Sequence, residues 1–355
     1  MNVNILAINP GSTSTKIAVL QREAQSFETT IRHPAAELGA FETVIDQFEF
    51  RKELILKALQ EGGVPLASLN AVVGRGGLLR AMKGGTYTIN ERMLHDLKIG
   101  INGQHACNLG GLIAHALSRE LLIPCYIVDP PVVDEMDDIA RLSGMPGMER
   151  ESRFHTLNHR AAGHAAAKQL NKQYKDCNFV IAHMGGGISV SAHQKGRVTD
   201  TNNGVDSEGS YTPERAGTLP VRALIRMCMS KEHTYEQMCK KTVGEAGLMG
   251  YLKTNDAREV VKRVEEGDEY AKLVYEGMCY QIAKEIGAYA VVLKGEIDGI
   301  CLTGGLAHDV YLTSYIRDMV EFLAPVFIFP GENELRALAD GVFRVMDGQE
   351  EAKEY

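Results

Sequence analysis

The chain lacks several features that would narrow its chemistry at once. Its seven cysteines, Cys107, Cys125, Cys177, Cys228, Cys239, Cys279 and Cys301, are odd in number, scattered, and contain no Cys-x-x-Cys pair. They read as thiols of a reducing compartment rather than as a disulfide framework. No apolar run approaches the ~20 residues that span a bilayer. The opening Met1-Asn2-Val3-Asn4-Ile5 has neither the basic nor the long apolar segment of a secretory signal. A cytoplasmic protein without a membrane anchor is therefore expected. Positive charge is also short. Lys and Arg number 38 against 46 Asp and Glu, a net charge of -8, which argues against non-specific nucleic-acid binding. No Gly-Lys dipeptide occurs, so there is no Walker A loop, and no His-Glu-x-x-His marks a zinc hydrolase.

What is present is ordinary globular composition with one excess. At roughly 150 residues per domain, 355 residues suggest two domains. Charged residues are 24% and hydrophobic residues 45%, so long disorder is excluded. Glycine, at 36 residues, is high and implies many tight backbone turns.

Some of that glycine recurs in a pattern. Ile5 to Ile8, the turn Asn9-Pro10-Gly11-Ser12-Thr13-Ser14 and the β-branched run Thr15 to Leu20 read as a β-hairpin. A second such unit is Phe179 to His183, Met184-Gly185-Gly186-Gly187 and Ile188 to Ser191, with Asn9 over His183 and Gly11 over Gly185. A second pair follows: Ala71-Val72-Val73 runs into Gly74-Arg75-Gly76-Gly77, and Gly299 to Leu302 runs into Thr303-Gly304-Gly305. The repetition predicts two related α/β domains facing each other. Helices are expected over Ala161–Gln173, Asp268–Leu293, on an approximate 3.6 period, and Glu334–Met346. Thr199 to Pro220 has neither period; a loop of about 20 residues in a compact domain is usually functional.

Several residue groups have chemistry to offer. In Gly11-Ser12-Thr13-Ser14-Thr15-Lys16, bare backbone, hydroxyls and a lysine suit an anion, or simply a polar hairpin turn. The tip His183-Met184-Gly185-Gly186-Gly187 fits backbone around a nucleotide phosphate, or a bulge. Gly304 and Gly305 follow a buried-type strand, where an adenosine or phosphate can rest. Arg75 and Arg215 have glycine nearby and room to offer a planar guanidinium to phosphoryl or carboxylate oxygens; each also reads as a surface ion pair. Asp129 ends a strand where α/β sheets place chemistry, or starts the turn before Pro130 and Pro131. His155 and His159, four apart, would share a helix face, but no third zinc ligand accompanies them.

Taken in order, Ile8 to Lys16, Phe154-His155 to His159, the His183 to Gly187 tip and Thr303-Gly304-Gly305 resemble the acetate and butyrate kinases across nearly the whole chain. Asn9 to Lys16, Val73 to Gly77 and Val128-Asp129-Pro130-Pro131 look like the butyrate-kinase form. The resemblance implies the superfamily of acetate and sugar kinases, heat-shock ATPases and actin: two RNase H-like domains, each a mixed sheet with flanking helices, around a nucleotide cleft. Domains at 1–150 plus 332–355 and at 151–331 are expected, with hinges at Glu149 to Ser152 and near Gly331. The implied activity is reversible, Mg²⁺-dependent phosphoryl transfer between ATP and a short-chain carboxylate, giving acyl phosphate and ADP.

The resemblance also implies roles. Asn9, and Glu334 through water, would serve Mg²⁺, with Glu332 the competing carboxylate. Ser12, Ser14 and Lys16 would lie near the phosphates. Arg75 and Arg215 would flank the phosphoryl group in transit, Asp129 would hold the metal or orient the acyl group, and His155 would hydrogen-bond the moving oxygens. His183, Gly185, Gly186, Gly187, Gly304 and Gly305 would cradle the nucleotide, with Asp256 and Arg258 beside the adenosine. Gly76, Gly77 and Phe154 would line the acyl end, the two glycines leaving room for a longer tail. Ala257 departs from acetate kinases, which carry an aromatic there, so stacking on adenine falls to another residue. A homo-oligomer, dimer or higher, is expected. The alternatives are a kinase of this fold for acetate, propionate or a branched acid, and a nucleotide-driven chaperone or filament protein.

Overall fold

A computed structural model describes residues 3–355. They form two compact units, residues 3–134 with Asn333–Tyr355, and Glu135–Glu332.

The first unit is built on a six-stranded sheet of order β3-β2-β1-β4-β6-β5. Its strands are β1 (Ile5–Pro10), β2 (Ser14–Leu20), β3 (Gln25–Arg32), β4 (Ala71–Arg75), β5 (Thr86–Thr88) and β6 (Cys125–Val128). β1, β2 and β3 form an antiparallel meander, β4 and β6 run parallel to β1, and β5 closes the edge antiparallel. β1 and β4 are continuous apolar runs because helices cover the sheet there. Asn108–Leu121 and Glu334–Met346 are those helices. Asn333 caps the latter by accepting the Arg336 amide at 3.2 Å.

The second unit has a five-stranded sheet of order β11-β10-β7-β8-β9. Its strands are β7 (Asn178–Met184), β8 (Ile188–Gln194), β9 (Arg197–Thr201), β10 (Gly299–Gly304) and β11 (Val326–Pro330). β7, β8 and β9 are again an antiparallel meander, with β10 and β11 parallel to β7. The order β3-β2-β1-β4-β6 therefore recurs as β9-β8-β7-β10-β11, and the repeat read from the sequence is a structural duplication. Helices Thr156–Gln169 and Glu269–Val292 cover this sheet.

Residues 135–150 pack with the second unit, so its start lies upstream of the expected crossing. Asp137 donates its amide to Thr199 O at 2.9 Å and accepts Arg197 Nη1 at 2.7 Å, and Arg150 Nη1 reaches Asp200 at 2.9 Å. The helix expected over Ala161–Gln173 runs instead from Thr156 to Gln169 and ends before Asn171, whose φ is 55°. The loop expected from Thr199 begins after Thr201, because Arg197–Thr201 pairs with β8 as β9.

Candidate functional site

In the first unit the β1–β2 tip is shaped from beneath by a residue with no visible motif. Arg51, buried, donates from Nη1 to Gly11 O at 2.8 Å and Thr15 Oγ1 at 3.1 Å, and from Nη2 to Ser12 O at 3.1 Å and Gln47 Oε1 at 2.8 Å. These acceptors are neutral oxygens, so the tip carries an uncompensated positive charge at its base. Ser12, Thr13 and Lys16 are exposed above it. Burial, then the Arg51 charge, lowers His33 to about 4 and keeps it neutral against Thr15 Oγ1 at 2.8 Å.

Beside the tip, the structure brings together Asn9, Arg75 and Glu334. Asn9 Nδ2 donates to Glu334 Oε2 at 2.5 Å, and Arg75 Nη1 pairs with Glu334 Oε1. Arg75 emerges where β4 meets helix Asn108–Leu121 backbone to backbone: a Cβ on Gly74 would collide with Gly110, and one on Gly110 with Arg75. Asp129 is buried with φ 42°, and its Oδ1 accepts the Gly85 amide at 2.6 Å. Among the described residues no group of three or more His, Cys, Asp or Glu forms a metal site. Mg²⁺ needs less from a protein when substrate phosphates supply ligands, and one carboxylate with one amide oxygen, from Glu334 and Asn9, suits it.

In the second unit the β7–β8 tip is bare for a visible reason. A Cβ on Gly187 would collide with the Arg215 guanidinium. Arg215 Nη1 also donates to Gly204 O, and its Nε is buried without an acceptor among the described residues. Thr212 Oγ1 ties this loop to Gly186 O at 2.7 Å and accepts the Arg215 amide at 2.9 Å. Gly185 donates its amide to Gly187 O at 3.0 Å, closing the turn. His183, fully buried, bonds Glu332 at 3.1 Å and stacks on His155 with ring centroids 4.2 Å apart. Glu332 and Glu334 therefore have different partners, His183 for one, Asn9 and Arg75 for the other. His155 and His159 are not a metal pair: His155 Nδ1 and His159 Nε2 both meet Ser189 Oγ, at 2.9 and 2.8 Å. Phe154 packs edge-on against His159 with centroids 5.2 Å apart.

The glycines offered as acyl room are filled positions. A Cβ on Gly76 would lie 2.5 Å from Pro130 Cβ and 3.0 Å from Ile127 Cδ1. One on Gly77 would lie 2.6 Å from Asn108 Cα and 2.7 Å from Leu97 Cδ2. The protein's own side chains occupy that space, so these glycines serve close packing. Gly304 likewise serves packing: its φ is 92°, and a Cβ would meet Met184 N at 2.7 Å. Gly305 opens a short turn with nothing near its Cβ position. Asp256 caps helix Ala257–Glu265 by accepting the Arg258 amide at 3.0 Å, and also pairs with the exposed Arg258 side chain at 2.6 Å. That pairing lowers Asp256 to about 2. Ala257 is buried in the core.

Sequence reading missed Arg51, because a lone helical arginine carries no motif. It also missed the row Ser189, Ser191, His193 on one face of β8; its signal was a run of polar residues at period two inside a buried strand.

Residues 147–323, just under half of the chain, match the model of the acetokinase family. An acetate kinase from Porphyromonas gingivalis is 20% identical with a TM-score of 0.77, over 96% of this chain and 99% of that one. An acetate kinase from Entamoeba histolytica (18%, TM-score 0.73) and a propionate kinase from Francisella tularensis subsp. tularensis SCHU S4 (18%, 0.71) each match over 95% of this chain and 98% of theirs. These likenesses show the fold: two mixed-sheet α/β domains with flanking helices. Among the described residues no helix is long and apolar enough to cross a membrane.

Proposed function

We propose that this chain is a carboxylate kinase, transferring the γ-phosphoryl group of ATP reversibly to a short-chain acid, butyrate or one of similar length, to give acyl phosphate and ADP. The observation that carries the reading is Arg215, fixed across the glycine tip with a buried Nε–H donor, in the stretch that matches the acetokinase family. Charge in phosphoryl transfer spreads over three equatorial oxygens, so catalysis is positioning plus positive charge. A carboxylate nucleophile is already ionised at pH 7 and needs no general base. One of its oxygens bonds phosphorus as the bond to the ADP oxygen breaks.

In the first unit, Arg75 supplies a guanidinium, and Lys16 with the Ser12 and Ser14 hydroxyls supplies donors above the Arg51 charge. Glu334 and Asn9 would hold Mg²⁺, which neutralises phosphate charge when bound. In the second unit, Gly185 to Gly187 offer backbone to the nucleotide phosphates, and His155 offers an N–H to the moving oxygens. Asp256, Arg258, Gly304 and Gly305 remain the nucleotide-side assignments, and Asp129 the orienting carboxylate. The preference for butyrate rests on the motif resemblance, and two or more identical chains are expected to assemble.

The test is the initial rate of acyl phosphate formation from ATP with C2 to C5 carboxylates, trapped as hydroxamates. A maximum at C4 is expected. A maximum at C2 or C3 overturns the butyrate preference and leaves the kinase. ADP release that no acid stimulates overturns the kinase, as a chaperone-type ATPase would behave.

A further inference from the structure

Behind His155 runs a chain of hydrogen bonds through the core of the second unit. Ser189 Oγ lies 2.9 Å from His155 Nδ1 and 2.8 Å from His159 Nε2. Ser191 Oγ lies 2.7 Å from His159 Nδ1 and 2.7 Å from His193 Nε2. His193 Nδ1 lies 2.5 Å from the Tyr174 hydroxyl. Ser189, His159, Ser191 and His193 are fully buried and Tyr174 nearly so. Both interior histidines use both ring nitrogens within the chain.

The duplication shows that the fold does not need this row. The pairs Asn9–Lys16 and Ile5–Leu20 of the first hairpin correspond to His183–Ser189 and Phe179–His193 of the second. Ser191 and His193 thus occupy the register positions of Ala18 and Leu20, which are buried and apolar. The first unit fills these places with hydrocarbon. The second accepts the desolvation of polar groups, which are retained only when bonded and usually for a reason beyond packing.

We propose that the chain Tyr174–His193–Ser191–His159–Ser189 fixes the tautomer of His155, so that its Nδ1 accepts and its Nε2 carries the proton. The catalytic consequence rests on the kinase reading above; the tautomer itself does not. A neutral imidazole donates from one nitrogen and accepts at the other, so a row of alternating histidines and hydroxyls has only two concerted directions. Burial keeps His193 neutral, lowered to about 3, and holds His159 well below its ordinary value. One feature at the inner end chooses the direction. A phenol is a stronger acid than the N–H of a neutral imidazole, so Tyr174 donates to His193 Nδ1. His193 then donates to Ser191, Ser191 to His159 Nδ1, His159 Nε2 to Ser189, and Ser189 to His155 Nδ1. The end of the chain is an Nε2–H, the donor that a phosphoryl oxygen requires. The opposite direction would leave a lone pair there. Tyr174, His193, Ser191, His159 and Ser189 are positioning residues, and only His155 would touch substrate.

Two-bond ¹H–¹⁵N correlation spectra of the full chain with ¹⁵N-labelled histidine read the tautomer directly, with His155→Gln assigning the signal. The expected result at pH 7.5 is Nε2–H in the wild type and a mixture or Nδ1–H in Tyr174→Phe and Ser191→Ala, with Ser191→Thr restoring the wild-type pattern. In the kinase assay kcat should fall about tenfold in the two disrupting variants while KM for ATP holds. Nδ1–H in the wild type overturns the proposal. So does an unchanged Nε2–H signal in a folded Tyr174→Phe or Ser191→Ala protein. A tautomer that responds as expected in a chain without kinase activity supports the proposal and overturns the kinase reading alone.

Discussion

Gly77 is followed by Leu78, whose amide donates to Asn108 Oδ1 at 2.9 Å, and that bond holds the chain after β4 against helix Asn108–Leu121. A valine at 77 would press on Asn108 and Leu97, and overpacking of this kind costs about 1–3 kcal/mol. Gly77→Val should therefore lower the unfolding midpoint and depress activity on all acids alike. The butyrate-to-acetate ratio of kcat/KM should stay unchanged; a ratio shifted toward acetate would restore the glycines to the acyl end. Arg75 is a different kind of residue, because its guanidinium is expected to act on the transition state. Arg75→Ala should cut turnover by roughly 10³-fold or more while binding of a non-hydrolysable ATP analogue, followed by calorimetry, changes little. Equal losses in binding and turnover would make Arg75 a ground-state ligand.

Strands and their tips were the most legible elements, since apolar runs closed by Gly, Asn, Ser and Thr locate β1, β2, β7 and β8 without further information. The helix Glu269–Val292 was legible from its periodicity. What supports a tip was not legible, because Arg51 lies far from Gly11 in sequence and meets it only through tertiary packing. The purpose of Gly76, Gly77 and Gly187 was equally hidden: a glycine that admits a ligand and one that admits a neighbouring side chain look alike in one dimension. The Arg51 arrangement makes a prediction for the whole β1–β2 tip. Arg51→Gln removes the charge and several of the donors that hold Gly11 O, Ser12 O and Thr15 Oγ1. Removing one partner from a buried group costs about 1–3 kcal/mol. Binding of ATP should weaken with the loss of the charge, and amide exchange at 11–15 should accelerate. Unchanged affinity with fast exchange would make Arg51 a structural brace alone.

At the scale of the whole molecule, the duplication was visible because both halves keep the same strand order and glycine punctuation. The difference between the halves was not, since it lies in which face of β8 is polar. That difference gives the second unit a dependence on pH. His193 is lowered to about 3, chiefly by burial and then by Arg160. The folded protein therefore binds fewer protons here than the unfolded chain between pH 3 and His193's ordinary value near 6.5. Above pH 6.5 His193 is neutral in both states and has no effect on stability; as pH falls below 6.5 stability is lost, by about 1.4 kcal/mol per pH unit for one group. His193→Gln removes that titration and leaves the others. Urea unfolding of both proteins, followed through hydrogen exchange of the β8 amides, should give a constant stability gap above pH 7. Below pH 6.5 the gap should narrow at that slope, because only the wild type has this proton to take up on unfolding. A gap that stays constant down to pH 5 would mean that His193 titrates normally in the fold, and with it would go the neutral, one-directional row on which the His155 tautomer depends.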